Sequence, residues 1–89
     1  MAKWLIVAEE MAEVEGALAQ RRVKTLQPLG ELDRTFALKR LRDEAMKYTP
    51  EALKGVDTAV CRYGDDAFLI VAKDGKWHVS CVVRLLERL

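Results

Sequence analysis

The chain has few of the residues that usually build catalytic sites. Its 89 residues include one histidine, His78, and two cysteines, Cys61 and Cys81. No serine, carboxylate or second histidine is spaced to complete a catalytic triad with His78, and no glycine-rich phosphate loop accompanies the acidic residues. The sequence therefore predicts a protein that is not an enzyme, with no catalytic residue and no cofactor.

Long apolar runs are also missing. No run approaches the ~20 apolar residues that a membrane helix needs. The first apolar run is short and turns acidic at Glu9 and Glu10, unlike a secretory signal. We therefore expect a cytoplasmic protein without a membrane partner, whose two cysteines stay as thiols. The length of 89 residues allows a single domain, residues 1–89.

The formal net charge of the chain is only +1, but its charges are unevenly distributed. Counted along the sequence, residues 1–19 carry −3, residues 20–50 carry +4 and residues 51–89 carry zero. The acids at positions 9, 10, 13 and 15 are interpreted as solvated charges. The basic middle segment is typical of a solvated helix face. An alternative is a nucleic-acid-binding module that contacts phosphates through Arg21, Arg22, Lys24, Arg40 and Arg42.

The pattern of apolar residues indicates a mixed fold. Residues 3–8 and 22–27 fit strands, the second ended by Pro28. Residues 9–21 fit a helix, a loop or a strand. An amphipathic helix follows its N-cap Asp33, and Thr49 is a candidate cap for a short turn over residues 50–54. The apolar stripe of the helix is predicted to consist of Arg34, Ala37, Leu38, Leu41, Ala45 and Tyr48.

The C-terminal third predicts three strands over residues 56–63, 66–73 and 76–85. They are separated by Gly64-Asp65 and Asp74-Gly75, which favour two-residue turns. We therefore predict an α+β fold: an antiparallel β-meander sheet with one principal amphipathic helix packed on one face. In this register Phe68 pairs with both Cys61 and Cys81, which places both cysteines on the core face of the sheet.

The histidine and the cysteines are the candidate metal ligands. His78 and Cys81 are three residues apart, an odd step that directs them to opposite faces of a regular strand. Cys61 and Cys81 would lie about 9.6 Å apart at two strand spacings, too far for a disulfide. We interpret them as small buried hydrophobic residues and predict no metal site. The alternative is a soft-metal binder that uses Cys61 and Cys81, with His78 as a further candidate.

The sheet face away from the helix keeps apolar side chains that so short a chain can scarcely cover. Either residues 9–21 cover that face as a second helix, or another subunit does. We favour a homo-oligomer. The predicted interface consists of Leu69, Val71, Val82, Leu85, Leu86 and Leu89.

Five stretches occur in an order that resembles the YbjQ-like family of small bacterial proteins, often labelled heavy-metal-binding. They are LIVAEEMAEVEG, VKTLQPLGEL, ALKRLRDEAMKY, GVDTAV and VSCVVRLLERL. The similarity is most specific over residues 37–60, with residues 49–54 as an insertion. The resemblance implies an α+β fold, ring-like homo-oligomers and no established enzymatic activity. It transfers no metal ligand, because none can be matched. The expected function is that of a small non-catalytic oligomeric assembly or binding protein.

Overall fold

The computed structural model describes residues 2–14, 17–73 and 79–89. The elements are β1 (Lys3–Val14), β2 (Ala17–Glu31), α1 (Arg34–Lys47), a short 3₁₀ helix (Glu51–Leu53), β3 (Thr58–Arg62), β4 (Ala67–Ala72) and β5 (Val79–Arg88). The five strands form one antiparallel sheet in the order β2-β1-β5-β4-β3, and α1 packs on one face. The predicted α+β meander with one packed helix is confirmed.

Residues 9–21, which fit helix, loop or strand equally well, are strand at positions 9–14 and 17–21. β1 pairs with β2 on one side and with β5 on the other. Two ladders of backbone hydrogen bonds outweigh the helix preference of the alanines, glutamates and methionine in this segment. These residues therefore do not cover the sheet as a second helix.

Pro28 does not end β2, contrary to the prediction. Because β2 is an edge strand, a proline there can leave the ladder intact. The register of β2 against β1 also shifts between the pairs Trp4↔Gly30 and Leu5↔Pro28. Gly30 has a φ of 71°, which glycine adopts without steric cost. The strand passes Pro28 at this bulge and continues to Glu31.

The helix begins where the sequence predicts. The Asp33 carboxylate accepts a hydrogen bond from the backbone N–H of Thr35 at 3.1 Å, which satisfies one of the unpaired donors of the first turn. Ala37, Leu41 and Ala45 are fully buried, which confirms the centre of the stripe. Arg34 was wrongly included, since it is exposed and keeps its charge in water.

The turn after α1 is also confirmed, but its cap is not Thr49. Pro50 occupies the N-cap position, and no side chain caps the turn. Pro50 and Leu53 are both buried. This pair fixes the short 3₁₀ helix against the body of the protein.

The core lies between α1 and one sheet face. It includes Ile6 and Ala8 of β1, Ile70 of β4, and Cys81, Val83 and Leu85 of β5, together with Leu53. Trp4, Tyr48 and Val60 pack at its margins.

The connection between β4 and β5 is longer than predicted. Ile70 pairs with Cys81 and Phe68 with Val83, which is a slip of two residues from the predicted register. An even slip keeps each side chain on its predicted face, because the side-chain period of a strand is two. The predicted turn at positions 74 and 75, with Trp77 and His78, lies outside the described residues.

The connection between β3 and β4 is one residue longer than predicted. This difference changes the face of the sheet on which the β3 side chains lie. The Tyr63 N–H donates to the Ala67 carbonyl at 3.0 Å, and Gly64 has a φ of 83°. Cys61 then pairs with Leu69 instead of Phe68. A one-residue slip moves every side chain of β3 to the other face. The prediction that Cys61 lies on the core face is therefore wrong, and Cys61 is exposed.

Candidate functional site

The sheet face that turns away from α1, called the open face below, carries mainly apolar side chains from the three central strands. They are Leu5, Val7 and Glu9 from β1, Val82, Arg84 and Leu86 from β5, and Ala67, Leu69 and Val71 from β4. Among the described residues, α1 is the one α-helix, and it packs on the opposite face. Ser80, which pairs with Val71, lies on the same face as these side chains. Seven of these ten side chains are apolar. Val7, Ala67 and Val82 are buried within the chain, whereas Leu86 is exposed, which makes the part of the face around Leu86 a candidate surface for contact with another molecule.

An ion pair lies at the centre of the open face. Arg84 Nε is 3.5 Å from Glu9 Oε1, and the two side chains are 35% and 13% exposed, respectively. The Arg84 Nε atom is buried and makes no hydrogen bond within the described part of the structure. The contact is therefore an ion pair without hydrogen-bond alignment, and the guanidinium keeps one unsatisfied buried donor.

Four of the six predicted interface residues lie on the open face: Leu69, Val71, Val82 and Leu86. Leu85 does not, because consecutive strand residues point to opposite faces. It belongs to the core and is 3% exposed. Leu89 follows the end of β5 and is fully exposed.

The two cysteines lie on opposite faces of the sheet. Cys61 is exposed on the open-face side, and Cys81 is buried beneath α1. Burial, followed by the negative charges of Glu10 and Glu9, raises the pKa of the Cys81 thiol to about 12. The two thiols of one copy therefore cannot bind the same metal ion, and a shared site would have to be completed by another subunit.

The described part of the chain contains no group of three or more histidine, cysteine, aspartate or glutamate side chains placed to hold a metal ion. His78 lies outside the described residues. The soft-metal alternative stays a prediction.

The basic residues of the nucleic-acid alternative are not all brought together. Arg21 and Arg22 lie in β2, but their side chains are outside the described part of the structure. Lys24 is exposed on β2, and Arg40 and Arg42 are exposed on α1. Two residues along a helix are separated by about 200° around its axis. Arg40 and Arg42 therefore lie on opposite flanks of α1.

One of these flanks is already bridged to the sheet. With the Gln27 amide oriented to satisfy both neighbours, its nitrogen donates to Glu44 at 2.9 Å and its oxygen accepts from Arg40 at 3.1 Å. Glu44 also lies 3.8 Å from the Lys47 ammonium. This flank mixes both charges, and the nucleic-acid alternative stays a prediction.

A polar cleft of about 560 Å³ opens between the β1–β2 hairpin and the segment after α1. Its walls include Glu10, Val23, Lys24, Tyr48, Glu51 and Lys54. Glu10 and Lys24 come from the sheet, and Glu51 and Lys54 come from the turn that Pro50 and Leu53 anchor. Each wall therefore carries one acid and one base.

The hydroxyl of Tyr48 donates a hydrogen bond to Glu10 Oε1 at 2.9 Å in this cleft. Burial, together with the hydrogen bond and charge of Glu10, raises the pKa of Tyr48 well above its usual value. Glu51 also contributes to this effect. The phenol therefore stays protonated at neutral pH and fixes the position of Glu10.

A second, smaller cleft of about 380 Å³ lies beside Trp4, Leu32 and Arg34. The Trp4 indole N–H donates to the Leu32 carbonyl at 2.8 Å, which joins the start of β1 to the segment that precedes α1. The Leu32 N–H in turn donates to the Ala2 carbonyl at 3.1 Å. These bonds connect the start of the chain to the segment between β2 and α1.

Glu9 and Glu10 are candidate functional residues that the sequence does not predict, since the sequence pattern favours solvated charges at both positions. Glu9 is mostly buried in its ion pair with Arg84, and Glu10 is half-buried against Tyr48. In a strand, consecutive side chains point to opposite faces, which would place Glu9 and Glu10 on different surfaces. This could be predicted only if residues 9–14 were assigned to a strand.

Comparison of the chain with protein-family models, curated proteins and solved structures gives no significant match. The resemblance to the YbjQ-like family stays a prediction. Among the described residues, α1 is the longest helix, and neither its length nor its hydropathy would allow it to cross a membrane.

Proposed function

We propose that this protein is a small non-catalytic assembly protein that forms homo-oligomers through its open face. The observation that supports the proposal most directly is the combination of an apolar sheet face with one ion pair at its centre. α1 packs on the opposite face, and the most exposed apolar side chain of the open face is Leu86, at 39%, whereas Val7, Ala67 and Val82 are already buried.

The charges of the open face suit contact with a second copy. In a twofold-symmetric interface the same surface meets itself, so each copy presents one carboxylate and one guanidinium to the other. Glu9 of one copy can then accept a hydrogen bond from the unsatisfied Arg84 Nε of the other. Such an exchange would offset part of the cost of removing both charges from water.

The open face would form the centre of an interface. Its three strands make a surface about 14 Å wide, and the rows from Val71 to Leu86 extend about 20 Å along it. The flat area of ~280 Å² is about a third of the ~800 Å² that each partner buries in a standard interface. A contact of standard size would therefore also include side chains of the edge strands β2 and β3.

Sedimentation velocity over the micromolar range tests this proposal. We expect the wild-type chain to sediment as an oligomer and Leu86→Glu to sediment as a monomer, because the new charge would be buried unpaired at the contact. Leu86 is 39% exposed, so the substitution should leave folding intact, which circular dichroism would verify.

Met46→Glu provides the matched control. Met46 is 63% exposed on α1, away from the open face, and its substitution should leave the oligomer unchanged. A wild-type chain that sediments as a monomer throughout the concentration range would refute the proposal. So would an oligomer that persists in Leu86→Glu.

A further inference from the structure

The polar cleft defined above has a charge arrangement that self-association does not explain. On the sheet wall, Ala8 pairs with Lys24 and Glu10 pairs with Arg22. Lys24 and Glu10 therefore occupy diagonal positions on the same face of two adjacent strands. Residues in this relation lie about 7–8 Å apart, so one acid and one base stand side by side on this wall.

The opposite wall also carries one acid and one base, Glu51 and Lys54, on a turn that buried residues hold in place. The Lys54 N–H donates to the Glu51 carbonyl at 3.3 Å, and the fully buried Leu53 lies between them in the chain. Pro50, which is also buried, fixes the entry to the turn. Because the backbone of this wall is already held, a ligand would have to order only the exposed side chains of Glu51 and Lys54.

Two acidic side chains of the cleft act on Tyr48. Tyr48 donates to Glu10 at 2.9 Å, and the charge of Glu51 also acts on the Tyr48 phenol. The hydrogen bond uses one lone pair of the Glu10 carboxylate and leaves the others available. The two carboxylates, Glu10 and Glu51, suit an ammonium group.

The cleft also carries two basic side chains. Lys24 and Lys54 are both exposed at the cleft. In the ranges that the structure describes, neither ammonium has an ion-pair partner. Two unpaired lysines at the rim of one cleft suit a carboxylate, which accepts hydrogen bonds from both.

We propose that this cleft binds a small zwitterion of about dipeptide size, with its ammonium group between Glu10 and Glu51 and its carboxylate between Lys24 and Lys54. The four charged side chains that the structure describes at the cleft sum to zero, so a simple anion would be repelled by two carboxylates and a simple cation by two ammonium groups. A ligand that carries both charges satisfies all four. The volume of about 560 Å³ lies within the range of about 300–1,000 Å³ that is common for ligand sites.

The test is an NMR titration of the full chain with the dipeptide alanyl-alanine, in which backbone amide shifts identify the site. The same titration is run with the N-acetylated dipeptide, the dipeptide amide and the doubly blocked form. We expect shifts at Glu10, Lys24, Tyr48 and Lys54. Loss of either charge should weaken binding by about threefold to fivefold, the effect of one solvent-accessible ion pair.

Two charge-neutralising variants make the test specific. Glu51→Gln should reduce the preference for a free amino group, and Lys54→Gln should reduce the preference for a free carboxylate. Glu87→Gln neutralises an exposed acid that does not line the cleft and should change neither. Equal affinity for the zwitterionic and doubly blocked dipeptides would overturn the proposal. Absence of shifts at the cleft residues at millimolar dipeptide would overturn it as well.

Discussion

The opposite placement of the two cysteines predicts a large difference in thiol reactivity. A thiol reacts as its thiolate, and the pKa of Cys81 is raised to about 12. At pH 8, four units lower, only about one Cys81 in 10,000 would be ionised, whereas an ordinary cysteine with a pKa of about 8.5 would be about one quarter ionised. Ionisation alone therefore slows Cys81 by a factor of about 2,000 relative to such a cysteine.

Burial, which raises this pKa, also keeps reagents away from Cys81. Its side chain is fully inaccessible in the core beneath α1, so a reagent reaches it only after the fold opens. If the free energy of unfolding is about 5 kcal/mol, the open fraction is on the order of 10⁻⁴. Native-state labelling of Cys81 should accordingly be at least ~1,000-fold slower than that of the exposed Cys61.

The assay is alkylation by a maleimide at pH 8, followed by peptide mass spectrometry to assign each thiol. In dilute native protein we expect Cys61 to react first and alone, and Cys81 to react only in urea. If the open face is an interface, Cys61 should also become slower as the protein concentration rises. Comparable rates for the two thiols in the native protein would refute the assigned register of β3.

Two further predictions concern stability. Leu41→Ala truncates a fully buried side chain on α1 and should lower the free energy of unfolding in urea by about 3 kcal/mol. Phe36→Ala, at a position on the same helix that is 61% exposed, should change it by at most ~0.5 kcal/mol, and equal losses would contradict the packing of α1. Tyr48→Phe removes the hydrogen bond to Glu10 and should cost about 1 kcal/mol at pH 7. Because folding raises the pKa of Tyr48, the wild-type protein keeps this contribution below about pH 10 and loses it as the pH rises further. The difference between wild type and variant should therefore shrink at alkaline pH, and a constant difference would contradict this explanation.

The sequence was sufficient where the deciding signal is local. The Asp33 cap and the spacing of Ala37, Leu41 and Ala45 located α1 correctly, because a helix is determined by neighbours three and four residues apart. The register of β3 could not be predicted in this way. A turn around Gly64 with two or three residues satisfies the same local preferences, yet the choice decides which face carries Cys61.

The candidate sites likewise include some features that could be predicted from the local sequence and others that could not. Alternation along β4 placed Leu69 and Val71 on the face away from the helix, and the pairing of β4 with β5 confirms their position. The cleft could not be predicted, because Tyr48 and Glu10 are 38 residues apart. Their contact requires β1 to continue through Glu10 beside β5, where Glu10 pairs with Cys81. That pairing is non-local, and helix propensity in residues 9–14 argues against it.

β1 links the two proposed functions, because consecutive strand residues serve opposite faces. Glu9 meets Arg84 on the open face, and Glu10 meets Tyr48 in the cleft, while both charges act on the thiol of Cys81. A substitution that distorts β1 in this region would therefore disturb both surfaces at once. The variants Leu86→Glu and Lys54→Gln avoid this ambiguity, since neither residue belongs to β1. If the two functions are independent, the first should abolish self-association without weakening dipeptide binding, and the second should do the reverse.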